Sequence, residues 1–567
     1  MSMYIIILAM LILGGAYAIY GKWLETSWGI DRLAQTPAER VQGDADYTPS
    51  PWYVVFSHQF SSIAGAGPVT GTIIASMFGW VPVLLWIFIG GIFMGAVHDY
   101  AAMYASVKEN GKSMGLLIEK YIGRTGKKLF LLFCWAFSLL VVAAFADMSA
   151  STFAELNLDG TPKLAAAAAG SITMVFMVAA IVLGLINRYI NLKQWQQMLI
   201  AFVLVIVSFV IGMNFPLFYD KNMWLIIVFI YLFIASVTPM WLLMQPRDLL
   251  TTFMLLGMIG GAIAGILVER PAMNLNAFNG FVVDGKLLFP TLFITIACGA
   301  ISGFHSLVSS GTSSKQIANE AHMRPVGFGA MIVECLFAVV VLLVAGALAV
   351  GGRVPAGTPF AIFSTGVASF LTNFGIDEYV AASFMTMCVA SLALTSLDSV
   401  ARIGRMSFQE FFQAAKNGTT NKQAQKSFVT HVLGNKYIAT CVTLLIGGAL
   451  TLGGYQNIWT LFGSANQLLA ALVMMALAVF MKRTGRNGYM LWLPTLFMFA
   501  ATFTAIGMSI YQIGVKLLFT HDFVFMVDGL QLFLAVLLLS LAILLVKQSM
   551  TKLFKNEERE EYEYERR

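Results

Sequence analysis

Ionisable side chains stand in stretches of this chain that are otherwise apolar: His58, His98, Asp99, Asp147, His305, Glu334 and Asp398. An ionised group at mid-bilayer costs about 2.5–3.5 kcal/mol on insertion scales, so such residues mark ion or solute pathways, or have buried partners. His58 and Asp99 fall near the same ends of neighbouring apolar segments, and histidine beside a carboxylate titrates near neutral pH, which suits proton transfer. Glu334 lies deep in its segment and needs a buried partner. Asp147 and Asp398 are close enough to segment ends to be solvated. Ser309, Ser310, Thr312 and Ser313 follow His305 within GAISGFHSLVSSGTSSK, from Gly299 to Lys315. Their hydroxyls can line a cation or substrate site, or bond back to carbonyls of their own helix. Joined by carbonyls near Ala64 and Gly65, they could supply the close oxygens that sodium wants.

The segment that must position these groups is itself irregular. HQFSSIAGAGPVTGTIIAS, from His58 to Ser76, is apolar enough to enter a bilayer but is broken by Gly65, Gly67, Pro68 and Gly71. In hydrocarbon every backbone N–H and C=O must find a partner, so such a break survives only inside protein or against a polar cavity. Discontinuous helices of this kind expose carbonyls and helix ends to solutes in secondary transporters. Small residues also let helices pack closely, which is the plainer alternative.

Composition agrees with a membrane protein: 58% of the residues are hydrophobic and 11% charged, against about 25% charged in soluble domains. With roughly 20 apolar residues needed per crossing, hydropathy divides the chain into about fifteen spans. Of the 35 Lys and Arg, 29 fall in one set of alternate loops and six in the other. The positive-inside rule then puts the N-terminus outside and the C-terminus in the cytoplasm. Met1-Ser2-Met3 lacks the basic residue of a signal n-region, so the first span is expected to be retained. Ile403–Ala415 and Met114–Ile122 are candidate interfacial helices, and NEEREEYEYERR from Asn556 is a solvated charge run.

The span at 223–244 is also broken, at Ser236-Val237-Thr238-Pro239. Two five-span units of opposite topology, each starting with a broken helix, point to alternating access. The expected architecture is an all-α integral membrane protein with a LeuT-like five-plus-five inverted repeat. Its parts are an N-terminal span and loop (1–56), a first repeat (57–222), an inverted second repeat (223–400), a loop (401–436), peripheral spans (437–546) and a charged tail (547–567).

Enzymatic readings find little support. Asn110-Gly111-Lys112-Ser113 resembles the end of a phosphate loop, but Ser106 stands where the leading Gly is required. There is no HExxH motif, and the five cysteines show neither a disulfide framework nor metal spacing. No cofactor, metal or nucleic acid is implied. The partners expected are the lipid bilayer, a small solute and a coupling ion, proton or sodium; a channel without coupled transport is the competing class.

Three motifs carry a family resemblance. Tyr53–Pro68 (YVVFSHQFSSIAGAGP), Gly95–Tyr100 (GAVHDY) and Ser302–Thr312 (SGFHSLVSSGT) resemble, in order, signatures of the carbon starvation protein A (CstA) family. The similarity covers the chain from residue 1 to about 550. It implies a bacterial inner-membrane carrier linked to peptide uptake in carbon starvation, with relatives that resemble proton-driven pyruvate symporters. Members often carry two adjacent histidines where this chain has His58-Gln59, which leaves His58 the only titratable residue there.

Overall fold

The computed structural model describes residues 1–41, 47–157, 159–190, 192–239, 241–413, 432–520 and 523–554. Apart from a small hairpin (β1, Val282–Val283; β2, Lys286–Leu287), its regular structure is helical. The first half contains α1 (Ser2–Ser27), α2 (Trp52–Ile63), α3 (Gly67–Ala75), α4 (Trp80–Lys108), α5 (Met114–Tyr121), α6 (Arg124–Phe153), α7 (Leu164–Tyr189), α8 (Gln194–Asn214), α9 (Lys221–Val237) and α10 (Met244–Glu269). The second contains α11 (Leu288–Thr295), α12 (Gly303–Gly311), α13 (Ala330–Leu348), α14 (Pro359–Thr372), α15 (Glu378–Gln413), α16 (Lys436–Thr451), α17 (Tyr455–Arg483), α18 (Trp492–Val515) and α19 (Leu530–Phe554).

Among the described residues, 11 helices are long and apolar enough to cross a membrane, and four apolar helices are shorter. Burial separates core from periphery. The most apolar window of α17 is wholly buried, whereas 17% of that of α8 is. The two long helices α6 and α15 pack along each other at the centre, and α9 and α16 pack against both.

Two of the apolar segments are pairs of half-helices, the first at the interruption expected from Gly65, Gly67 and Pro68. After Ile63 the backbone leaves helical geometry at Ala64 (ψ 58), and α3 begins at Gly67 with Pro68 in its first turn. Proline is favoured there because its missing N–H would have no partner anyway. A Cβ on Gly65 would collide with Ser396 Oγ, and one on Gly67 with Cys298 Sγ, so glycine lets these neighbours approach closely. The second interruption runs from Ile296 to Ser302, between α11 and α12.

Several expectations change. Helix α9 is continuous, and Thr238 and Pro239 lie in its connection to α10 rather than in a break. The Arg402 guanidinium donates to Ala235 O and Thr238 O at 2.7 and 2.6 Å, so the carbonyls at the end of α9 are satisfied without a cavity. The stretch from Ile403 continues α15 to Gln413 instead of forming a separate interfacial helix; residues 414–431 and the tail 556–567 lie outside the described residues. Helix α14, enclosed in an expected loop, was not foreseen: 14 residues are too few for a full crossing. Helix α5 matches the expected Met114–Ile122 segment, and packs a buried face on α6.

Candidate functional site

Half-helix α12 is where the irregular segments meet, because its short polar residues face three different neighbours. Toward α2, Gln59 Nε2 donates to Ser309 Oγ at 2.8 Å and Ser313 Oγ donates to Gln59 Oε1 at 2.6 Å, all of it buried. One residue earlier on α2, the His58 ring places Nδ1 2.9 Å from Asp248 Oδ2 and Nε2 3.0 Å from Thr312 Oγ1. Asp248 continues into a chain of charges. Its Oδ1 accepts from Arg247 at 2.7 Å, Arg247 also pairs with Asp398, and Asp398 accepts from the Tyr231 hydroxyl at 2.8 Å. This chain ties α2, α9, α10 and α15 together at the end of the bundle rich in Lys and Arg.

Toward α4 and α13, α12 presents His305. Its Nδ1 lies 2.9 Å from Asp99 Oδ2, and its Nε2 lies 3.5 Å from Glu334 Oε2. His98 Nδ1 reaches the other Asp99 oxygen at 2.8 Å. All four side chains are fully buried. Asp99 is thus held by two imidazoles, while neither Glu334 oxygen has a hydrogen bond among the described residues. A buried carboxyl without a hydrogen bond is costly to ionise in place.

Beside these groups lies a small cavity of about 20 Å³, lined at the two interruptions by Gly65, Gly67 and Cys298 and walled by Phe137, Phe145, Phe304 and Phe462. No charged side chain lines it. Half-helices α3 and α12 both begin here, and no side-chain bond caps the start of α3. Unpaired first-turn N–H groups and the helix dipole favour an anion at such a place.

The structure brings together most residues singled out from sequence: His58, Ala64, Gly65, Gly67, Pro68, Asp99, His305, Ser309, Thr312 and Glu334. Ser310 turns away. Its hydroxyl donates to Ser306 O and accepts from Met114 N, the back-bonding alternative. Thr238 and Pro239 stand apart, for the reason given above. Glu334 does have a buried partner in His305. Asp147 and Asp398, expected to be solvated, are 1% and 0% exposed: Asp398 meets Arg247, and Asp147 meets Lys221 at 2.7 Å and accepts from Tyr455 N at 2.9 Å. Segment ends buried by neighbouring helices do not reach water.

Sequence reasoning missed Arg247 and Asp248, taken for a loop, and missed Asn466 and Gln467 altogether. Asn466 Oδ1 accepts from Phe304 N at 3.2 Å, its Nδ2 donates to Ser302 Oγ at 3.0 Å, and Gln467 Nε2 donates to Phe293 O. Adjacent amides in the middle of a 29-residue apolar helix were the available signal, since buried polar groups in membrane helices need partners.

Comparison with known proteins agrees with the motifs. The family model "Carbon starvation protein CstA" matches residues 1–353 and 352–505. The peptide transporter CstA of Bacillus subtilis (strain 168) is 30% identical over 86% of this chain and 86% of its own length. The pyruvate/proton symporter BtsT of Escherichia coli (strain K12) is 28% identical over 88% of this chain and 80% of its own. A manganese transporter of Eremococcus coleocola aligns with 90% of this chain and 99% of its own at 12% identity and a TM-score of 0.48. With a family model spanning most of its length and a relative at this identity, the chain belongs to the carbon starvation protein CstA family.

Proposed function

We propose that this membrane protein is a secondary active importer of small, pyruvate-like carboxylates, coupled to protons, with its Lys- and Arg-rich end in the cytoplasm. The carrying observation is that two half-helix N-termini, those of α3 and α12, meet at one small apolar cavity without a charged lining. Each helix start offers about half a positive charge, so together they can hold a carboxylate with no basic side chain. A peptide brings an ammonium group too, for which the lining has no carboxylate. The name of the relative BtsT supports the same choice of substrate and ion.

Coupling follows from charge. A carboxylate entering a low-dielectric cavity is costly unless a positive charge enters with it. The His98–Asp99–His305–Glu334 cluster begins on the same half-helix, and a proton taken up there offsets the substrate's charge. The chain from His58 to Tyr231 would close the cytoplasmic end while the cavity loads from outside.

Packing supports a five-plus-five inverted repeat, in a register other than the expected one. Elements α2/α3, α4, α6, α9 and α10 correspond to α11/α12, α13, α15, α16 and α17, with α7 and α8 inserted. Contacts recur in pairs: α2 on α10 answers α11 on α17, and α3 on α13 answers α12 on α4. If each broken pair crosses once, and α9 and α16 cross too, fifteen crossings alternate as the basic loops require, with the N-terminus outside the inner membrane.

The test is uptake into proteoliposomes with an inward proton gradient and no sodium. Radiolabelled pyruvate should accumulate and saturate. Glu334→Gln should lose accumulation against a gradient yet retain pyruvate exchange. Strict sodium dependence would overturn the coupling, transport of alanyl-alanine without pyruvate would overturn the substrate, and linear flux would indicate a channel.

A further inference from the structure

At the end of the bundle poor in Lys and Arg, a larger cavity of about 430 Å³ opens between α3, α11, the start of α14 and the first turns of α17. Its size falls in the range of ligand pockets, roughly 300–1,000 Å³. The lining contains one charged side chain, Lys286 of β2, and no carboxylate. The hydroxyls of Thr291, Thr295 and Thr460 and the amide of Gln456 complete its polar surface, against apolar walls that include Trp459. Arg353 at this end pairs with Asp284, and Lys221 with Asp147, while Arg270 is another cation without an ion pair among the described residues but does not line the cavity. Lys286 has no ion pair among the described residues. The first N–H of α17 is already taken by Asp147, so recognition falls to Lys286 and the hydroxyls rather than to that helix end.

We infer that this vestibule is a second carboxylate site, where the solute is captured before it reaches the central cavity. Its ligand class and its facing follow from the import function proposed above. The two cavities are separated by little. Thr295 lines the vestibule, and its carbonyl sits where a Cβ on Gly71 of α3 would be; one turn further along α3, Gly67 lines the central cavity. A solute leaving Lys286 therefore needs only a separation of α3 from α11 to meet the N–H groups at the interruption. Unpaired positive charge in a cleft walled by protein raises the local concentration of an anion and speeds its entry. Both sites can be filled at once, one on each side of the Gly71–Thr295 contact.

Equilibrium dialysis of radiolabelled pyruvate against the full chain in nanodiscs counts the sites. Wild type should bind two equivalents, Lys286→Ala one, and Lys286→Arg two. In proteoliposomes Lys286→Ala should raise the KM for pyruvate roughly two- to fivefold, the size of an exposed ion pair, and should remove most of the dependence of KM on ionic strength. Lys286 is exposed on a hairpin, so the variant tests binding rather than folding. A single bound equivalent in wild type, unchanged by Lys286→Ala, overturns the vestibule site and leaves the import function standing. No bound pyruvate and no pyruvate uptake overturns the import function and this site with it.

Discussion

The two interrupted helices are opened by different means. Between α2 and α3 the chain itself makes the break, through an unwound Ala64, glycines that let other helices approach, and a proline that begins the next half-helix. Between α11 and α12 the gap is longer, and side chains from a third helix hold it: Gln467 satisfies the end of α11, and Asn466 the start of α12. At the first break, the start of α3 carries no side-chain cap. The second is anchored to α17, the most enclosed long helix, and carries His305 and the serines on the half-helix below it. In the carrier proposed above the chemistry is divided between them: one break would bind the solute, and the other would pass the consequence to the titratable cluster.

The hardest blow to this division is a side chain at Gly67. A Cβ there would collide with Cys298 Sγ, and overpacking of this kind costs about 1–3 kcal/mol in stability. Its effect on transport should be larger, since valine would fill the cavity from the substrate side. Uptake by Gly67→Val should fall to background with the protein still in the membrane. Gly67→Ala should be partly rescued by Cys298→Ala, which removes the opposing sulfur. Wild-type uptake by Gly67→Val would mean that the solute does not bind at the first break.

The first break was legible in the sequence because its cause is local: Gly65, Gly67 and Pro68 oppose a helix wherever they stand. The second was only half legible. Gly299, Gly303 and the serines marked an irregular element, but Pro239, whose ring suggested a break and in fact follows a helix end, drew the second interruption elsewhere. Nothing near Pro239 says which; the answer lies in Arg402, 163 positions later, capping the carbonyls of α9. The titratable cluster was found residue by residue because ionisable groups are rare in apolar segments. Its grouping was not, since Asp99, His305 and Glu334 come from three helices that only packing brings together. Arg247 and Asp248 escaped for the opposite reason: beside Pro246 at a span boundary they look like any solvated loop.

A smaller effect is expected at the second break. Asn466→Ala removes the acceptor for Phe304 N and leaves buried donors without partners, which costs about 1–3 kcal/mol. If that cost falls on the state that holds α12 in place, pyruvate uptake drops roughly ten- to a hundredfold, with a lower midpoint in thermal unfolding. Asn466→Asp keeps the acceptor and should retain more activity than the alanine variant. Equal and complete loss in both, with unchanged stability, would indicate that Asn466 touches the solute directly, and the two breaks would then share the binding role.

The smallest effect should come from Pro239, and it discriminates most sharply between the expected and the proposed register of the repeat. In a broken transport helix, proline fixes the geometry of exposed carbonyls, and its loss would resemble the loss of Gly67. Here it follows the last turn of α9, whose carbonyls are already capped by Arg402. Replacing a connecting proline by alanine acts chiefly on the unfolded chain, by about 0.4–1 kcal/mol. Pyruvate uptake by Pro239→Ala should therefore stay within about twofold of wild type, since so small a change in stability barely alters the folded fraction. Arg402→Ala, which uncaps the same carbonyls, should destabilise the protein more than Pro239→Ala does. The reverse order, with Pro239→Ala inactive and Arg402→Ala harmless, would restore Thr238 and Pro239 as a working interruption and return the second repeat to a start at α9.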